Sequence, residues 1–408
     1  MEGPSCLADA VDGAAQEDGG HLLTYAELSA KSTDAARGLA ALGVRRPHPL
    51  LTGMRRGCDW YVVYVASSRL GVPVAAMATE KYLDPDARAR RRNQFLSLQP
   101  QLAVAAWQSS ASKAGLALHR LSELLCTGTS AASLPELPSD VGKSDALCYC
   151  YTGGTTGRER CVEIHHGMAL HELRSYPAAL RLRPATRDSS PEDAPRVLQP
   201  SSLQWAAAVY GQLDVALAFR GCAVVTAAKQ RASAGDAEIK QEELVSIVKE
   251  RKVSVLGLPP SLLQLLAPSD FLDARSAGGY CRLRRLISWG EPCPSAVAER
   301  WGAGHLPWRF LDVLISTEYW LTFVSYERDE NGRSLFEPVP GVKTFLLPPA
   351  LEDTGAMESK DDLSPSEVGE GAVGELYLAG DGVCRSFVHG GSTGPKAFAF
   401  RQLSGLSV

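Results

Sequence analysis

No apolar run in this 408-residue chain reaches the ~20 residues that a membrane-spanning helix needs, so a helical membrane protein is excluded. The first twenty residues have neither a basic start nor an apolar centre. They carry no legible secretory or transit signal, and the cytoplasm is the expected compartment. Basic surplus is missing as well: the formal net charge is −4, which gives no reason to expect nucleic acid or a membrane surface as partner. Zinc spacing is absent too. The ten cysteines are scattered, with only Cys148 and Cys150 close together, and His165, His166 and His171 do not form the HExxH pattern. Reduced, mostly buried thiols are expected.

What the chain does have is a repeated βα rhythm. Its length suits two or three packed subdomains rather than one core. Thr24 followed by Glu27 makes a capping-box start for a helix whose apolar stripe runs through Leu28, Ala35, Leu39 and Leu42 and stops at Gly43. Strands are expected over Pro49 to Met54, Val72 to Ala76 and Leu102 to Ala106, with helices over Trp60 to Leu70 and Asp84 to Leu98. The cluster Arg88, Arg90, Arg91 and Arg92 on the last of these reads as a solvated face. Beyond a Ser/Gly/Thr/Pro linker between Cys126 and Lys143, a second βα series runs from Arg196 to Leu266. From Tyr319 the pattern changes to strands, at Leu321 to Tyr326 and Val342 to Leu346, with an acidic run from Glu352 to Glu367. The predicted class is α/β: two doubly wound βα subdomains, residues 1–140 and 141–318, packed together, then a small distorted β-barrel over 319–408.

The stretch from Tyr151 to Gly157, YTGGTTG, stands between the apolar runs Ala146 to Tyr151 and Cys161 to Ile164 and reads as strand, hairpin-like loop and strand. Gly153, Gly154 and Gly157 let backbone N–H groups approach an anion closely, and Thr152, Thr155 and Thr156 add hydroxyl donors. Arg158 and Arg160 bring positive charge. This is the chemistry of a triphosphate cradle. It is not the GxxxxGK(S/T) loop, because Gly153 and Gly154 lead to Arg158 and Glu159 where that loop needs Gly-Lys. A plain surface hairpin is the competing reading, since Gly and Thr are ordinary turn residues.

YTGGTTGRERCV resembles the phosphate-binding signature, roughly YTSGTTGxPKGV, of the adenylate-forming enzymes: acyl-CoA synthetases, firefly luciferase and nonribosomal peptide synthetase adenylation domains. Other stretches carry the same resemblance. Leu283 to Glu291 (LRRLISWGE) is similar to LRxxxxGGE, Phe310 to Glu318 (FLDVLISTE) to NxYGxTE, and Val368 to Gly380 ends on the GELxxxG pattern. The resemblance implies that ATP is bound, that Thr317 meets its α-phosphate, and that Glu318, with Thr155, holds Mg²⁺. Arg160 stands where the family has a lysine, Asp312 where it has an asparagine, and Leu314 where an aromatic covers the adenine. His166 matches a histidine near the acyl group.

Trp205 to Leu213 (WAAAVYGQL) is similar to the family's FDxSVxExF segment, which places Trp205, Ala206 and Tyr210 with Trp289, Gly290 and Glu291 around an acyl pocket. Ala206 takes the place of an aspartate that grips an α-ammonium, so an ordinary α-amino acid is disfavoured. Trp289 replaces a glycine, and its indole should shrink or divert the pocket if it points inward.

What the resemblance implies is ATP-dependent activation of a small carboxylic acid to an acyl-adenylate with release of pyrophosphate. CoA or a phosphopantetheine arm on a carrier protein would then accept the acyl group. The family's ribose-binding aspartate, hinge and small lysine-bearing C-terminal domain lie beyond the region of Arg401. Lys396 falls before the ribose position and reads as a surface lysine. The expectation is a piece of a longer protein, or one whose turnover falls by roughly 10² to 10³ for each preorganised donor lost. A non-catalytic nucleotide- or acyl-binding protein stands as the rival reading, on Glu159, Arg160, Leu314 and Ile315.

Overall fold

Thr24 opens the first long helix, α1 (Tyr25–Ala41), as the sequence predicts. The Glu27 N–H donates to Thr24 Oγ1 at 3.1 Å, and Glu27 Oε2 accepts from the Thr24 N–H at 2.8 Å. Leu28, Ala35 and Leu39 are buried beneath it. Leu42 is not: the helix ends at Ala41, and Leu42 caps it on the surface ahead of Gly43, whose φ is +86°. The computed structural model describes residues 15–18, 21–54, 56–76, 96–105, 116–130, 135–152, 160–185, 194–201, 203, 205–206, 210–225, 240–272, 282–347, 373–385 and 387–389. Most of the predicted helix at 84–98, with Arg88, Arg90, Arg91 and Arg92, lies outside these residues. The acidic run and Lys396 lie outside them as well.

The described strands are, in chain order, β1 (Ala15–Asp18), β2 (His21–Leu23), β3 (Leu50–Gly53), β4 (Val74–Ala76), β5 (Leu102–Ala105), β6 (Leu118–His119), β7 (Ala146–Tyr151), β8 (Cys161–His165), β9 (Arg196–Gln199), β10 (Cys222–Val225), β11 (Val255–Leu258), β12 (Arg285–Ser288), β13 (Arg309–Leu314), β14 (Phe323–Arg328), β15 (Ser334–Pro338), β16 (Lys343–Leu347), β17 (Glu375–Ala379) and β18 (Phe387–His389). One sheet has the order β18-β8-β7-β4-β3-β5-β6. Strands β6, β5, β3, β4 and β7 run parallel in it, β8 pairs antiparallel with β7, and β18 pairs antiparallel with β8. The other sheet has the order β15-β14-β13-β12-β11-β9-β10-β1-β2, and the strands from β13 to β1 in that order are parallel. The expected strands after Tyr319 are both present: β14, with β15, extends the second sheet antiparallel, while β16 pairs with β17 as a separate antiparallel ladder.

The parallel strands are continuous apolar runs because both their faces are covered. One apolar cluster joins the two sheets. It contains Leu50 and Val74 from the first, Val197, Ile287 and Val324 from the second, and much of helices α2 (Cys58–Leu70), α4 (His166–Ala179) and α5 (Val215–Ala218). Between α1 and α2 on one side and α4 on the other comes helix α3 (Leu121–Ser130) in chain order. Trp60 and Tyr64 of α2 stack at 4.9 Å, and the Tyr61 hydroxyl donates across to Gln199 at the end of β9. A second cluster, with Leu244, Phe271 and Trp301, belongs to the second sheet alone. After β9 the chain is helical at Ala206 and forms a π-turn at Tyr210–Asp214 that leads into α5.

Candidate functional site

Strands β7 and β8 pair antiparallel with Tyr151 opposite Cys161, so the hairpin predicted around the Gly/Thr stretch is formed. Its neck is closed by two contacts. The Thr152 N–H donates to Arg160 O at 2.9 Å, and the Arg160 N–H donates to Thr152 Oγ1 at 3.3 Å. Gly153, Gly154, Thr155, Thr156 and Gly157 lie outside the described residues, as do Arg158 and Glu159.

Strand β13 delivers Leu314 at its end, half-buried, and then a tight turn in which the Ser316 N–H donates to Tyr319 O at 2.8 Å. Within that turn Ser316 Oγ donates to Glu318 Oε2 at 2.5 Å, and Glu318 is 8% exposed. Thr317 beside it is half-buried. A return stretch of chain ties this turn to the hairpin. The Cys384 N–H donates to Glu318 O at 2.8 Å, the His165 ring Nε2 lies 3.1 Å from Val383 O, and Phe387, three residues after Cys384, pairs with Val162 of β8. Burial pushes the Cys384 thiol up to about 12, and the charges of Glu318 and Glu163 act in the same direction. The Glu318 turn and the strand that carries the Gly/Thr loop are thus brought together by Val383, Cys384 and Phe387.

The other predicted residues divide. Asp312 is buried inside the sheet, where Ser334 Oγ donates to its Oδ2 at 2.6 Å and the Arg328 guanidinium stands 3.6 Å away. Burial raises its carboxyl above the ordinary range. Glu291 is exposed and accepts from the Ser261 N–H and hydroxyl, both at 3.1 Å, at the start of the helix α6 that follows Pro259 (Pro260–Leu265). Trp205 is 66% exposed, Ala206 is half-buried against the shared core, and Tyr210 opens the π-turn. His166 begins α4, with its side chain buried and its backbone N–H donated to Asp145 O at 3.0 Å.

Trp289 does point inward. It follows β12, is 3% exposed, and is succeeded by Gly290 at a φ of +80° that turns the chain. Its ring lies flat against two glycine backbones. A Cβ on Gly211 of the π-turn would stand 2.9 Å from Cζ3, and one on Gly257 of β11 would stand 2.2 Å from both Cζ2 and Cη2, closer than any real contact.

Sequence reading does not find one feature, a buried acid pair beneath this region. Glu172 of α4 and Asp214 are both 0% exposed, and the Leu321 N–H donates to Glu172 Oε1 at 2.9 Å. Burial pushes the Glu172 carboxyl up to about 8, and burial together with the Glu172 charge raises Asp214 well above the carboxylate range. Tyr176, one turn along α4 and also buried, feels both charges. Glu172 within the stretch Met168 to Ala179, and Asp214 directly before the apolar run Val215 to Ala218, are the only signal the sequence holds of it.

The comparisons with known proteins follow the same geometry. The family described as AMP-binding enzyme matches residues 7–388. A probable non-canonical nonribosomal peptide synthetase, CymA, of Salinispora arenicola is 27% identical over 91% of this chain, which spans 4% of that protein's length. Novobiocin biosynthesis protein H of Streptomyces niveus is 24% identical over 91% of the chain, which spans 55% of it. Among solved structures, an artificially fused adenylation and carrier di-domain, NpsA-ThdA, from Klebsiella oxytoca superposes with a TM-score of 0.74 at 15% identity, covering 95% of this chain and 72% of that one. The Klebsiella oxytoca NpsA N-terminal subdomain in complex with 3-hydroxybenzoyl-AMSN superposes at 0.71, with 16% identity and coverage of 95% and 90%. The fold is therefore that of an adenylation N-terminal subdomain, and the chain belongs to the AMP-binding enzyme family.

Proposed function

We propose that this chain activates a small carboxylic acid as an acyl-adenylate. The acid's carboxylate oxygen attacks the α-phosphorus of ATP, the bond to the β-phosphate oxygen breaks, and pyrophosphate leaves with the electron pair. The observation that carries this reading is the tie between the Glu318 turn and strand β8 through Cys384 and Phe387, which sets a carboxylate beside the hairpin whose loop is rich in Gly and Thr.

The roles follow from the donors available. Amides and hydroxyls from Gly153 to Gly157 hold the β- and γ-phosphates, Arg160 balances their charge, and Thr317 meets the α-phosphate. Leu314 covers the base. Glu318 fits a hard divalent cation: a single buried-edge carboxylate, completed by phosphate oxygens, is an ordinary Mg²⁺ arrangement. When bound there, Mg²⁺ supplies charge neutralisation at the phosphates. The protein otherwise contributes positioning, with His166 and Trp289 bounding the acyl side. CoA or a carrier-borne phosphopantetheine is the proposed acceptor, and the cytoplasm the proposed compartment.

The test is carboxylate-dependent ATP–pyrophosphate exchange, with Thr155→Ala and Glu318→Gln as variants. Exchange that is present and lost in both variants supports the proposal. Absent exchange, with ATP still raising the melting temperature, favours the rival reading of a nucleotide-binding protein without turnover. The engagement of Asp312 by Ser334 and Arg328 is the observation on that rival's side, because it occupies a carboxylate placed by resemblance in the nucleotide site.

A further inference from the structure

In an open parallel sheet the ligand crevice lies outside the carboxyl ends of the strands. Here β9, β11, β12 and β13 run parallel, and their carboxyl ends are Gln199, Leu258, Ser288 and Leu314. Trp289 is the first residue past β12, at the same end from which the Glu318 turn departs. Its ring spans from the π-turn at Gly211 to Gly257 of β11, and both positions are closed to any side chain while the ring is there. Two elements, the π-turn and β11, therefore meet on one indole carried by the end of β12. Protein interiors leave few voids larger than a water molecule, so the volume of this bicyclic ring is volume withdrawn from the crevice.

We infer that Trp289 is a specificity-determining residue that fills the inner end of the acyl slot, and that the acid accepted is a short aliphatic one, about two or three carbons long, to the exclusion of aromatic and long-chain acids. The inference rests on the adenylate reading above and adds the substrate class to it. Gly211 and Gly257 act with Trp289 as a unit: the glycines let the ring lie flat on the backbone, and the ring makes the slot shallow. Removing the indole leaves two bare glycine walls and a pocket with room for a ring-sized acyl group. One methylene in a confined apolar pocket shifts selectivity by about ten-fold or more, so exchanging an indole for hydrogen should reverse a preference rather than trim it.

The experiment measures binding of acyl-sulfamoyl adenosines, non-reacting mimics of acyl-AMP, to the full 408-residue chain by calorimetry, using acetyl, hexanoyl and benzoyl probes beside AMP itself. The expected result is that the wild type binds the acetyl probe at least about ten-fold more tightly than the benzoyl probe, and that Trp289→Gly inverts the order. Trp289→Leu, which keeps an apolar side chain in the core, should shift the preference to the hexanoyl probe and serves where Trp289→Gly does not fold. Equal binding of acetyl and benzoyl probes by the wild type overturns the inference while leaving the adenylate reading intact, and so does a ranking unchanged in the soluble variant. Failure of the wild type to bind AMP or any probe overturns the adenylate reading first, and the inference falls with it.

Discussion

Ser316 Oγ donates to Oε2 of Glu318 at 2.5 Å, across two residues of one tight turn. A hydroxyl bonded to a carboxylate makes a charge-assisted contact, short and directional, and it fixes which oxygen of Glu318 is left to face outward. Under the proposed function, Ser316→Ala should weaken the dependence of exchange on Mg²⁺ by about ten- to a hundred-fold in the Mg²⁺ concentration needed, with less effect on the KM for ATP. Ser316→Thr, which keeps the hydroxyl, should restore it. A Mg²⁺ titration that is superimposable for wild type and Ser316→Ala would remove the hydroxyl from any positioning role.

The buried acids give a pH dependence with a definite sign. Glu172 goes from its usual 4.5 to about 8 on folding because burial disfavours the anion, and Asp214 moves the same way. The folded chain thus holds protons that the unfolded chain has released between about pH 4.5 and pH 8. Stability from these groups is present at the acid end and declines as pH rises through the folded value. The groups facing them are the Tyr176 hydroxyl on α4 and the Leu321 N–H from the chain beyond β13. The unfolding free energy read from urea titrations should fall between pH 5 and pH 8.5 by an amount on the order of 4 kcal/mol. Glu172→Gln keeps the acceptor for Leu321 and should flatten the slope; an unchanged slope would show that the pair is not its source.

What was legible in the sequence was local. The Thr24–Glu27 box, the stop at Gly43 and the β7–β8 hairpin each depend on residues within a few positions of one another, and all three are present. The inward turn of Trp289 was legible only as a conditional, because its direction is decided by Gly211 and Gly257, which lie 78 and 32 positions earlier in the numbering. The bond from the Leu321 N–H to Glu172 spans 149 positions and leaves no trace in any window of sequence. Leu42 fits the helical period but falls one residue past the helix, where no period applies. The Gly153–Gly157 cradle, the strongest sequence signal, lies outside the described residues and remains a proposal.

Asp381 clasps the return stretch to the rest of the fold. Its Oδ1 lies 3.2 Å from Lys143 Nζ and its Oδ2 3.2 Å from an Arg174 guanidinium nitrogen, with the two cations 60% and 62% exposed. Water screens such pairs strongly, so Asp381→Asn should cost about 1 kcal/mol or less, and most of that should vanish at 1 M salt. The backbone ties beside it, the Trp320 N–H to Gly382 O and the Cys384 N–H to Glu318 O, are out of reach of this substitution. A loss of several kcal/mol in a denaturant titration would mean that the ion pairs, rather than those amides, hold residues 380–384 in place.

The cysteines offer a chemical readout of the same core. Among the eight described, Cys126 alone is exposed, on α3, whereas Cys161, at the start of β8, and Cys384, in the return stretch, are buried. Burial pushes both of those thiols up to about 12. Only the thiolate attacks a maleimide or an aromatic disulfide, so at pH 8 the reactive fraction of each is on the order of 10⁻⁴, before any barrier to reagent entry is counted. Peptide mapping after a short maleimide pulse should therefore find Cys126 modified and Cys161 and Cys384 unmodified, with rates differing by about 10³ or more. Saturating ATP should leave the Cys126 rate unchanged. It should slow the residual labelling of Cys384 further, since that residue is bonded through its N–H to Glu318 O and opens only when the turn comes away from strand β8. Comparable rates at Cys126 and Cys384 in the folded chain would mean that the return stretch is not seated as described, and the tie between Glu318 and the hairpin would go with it.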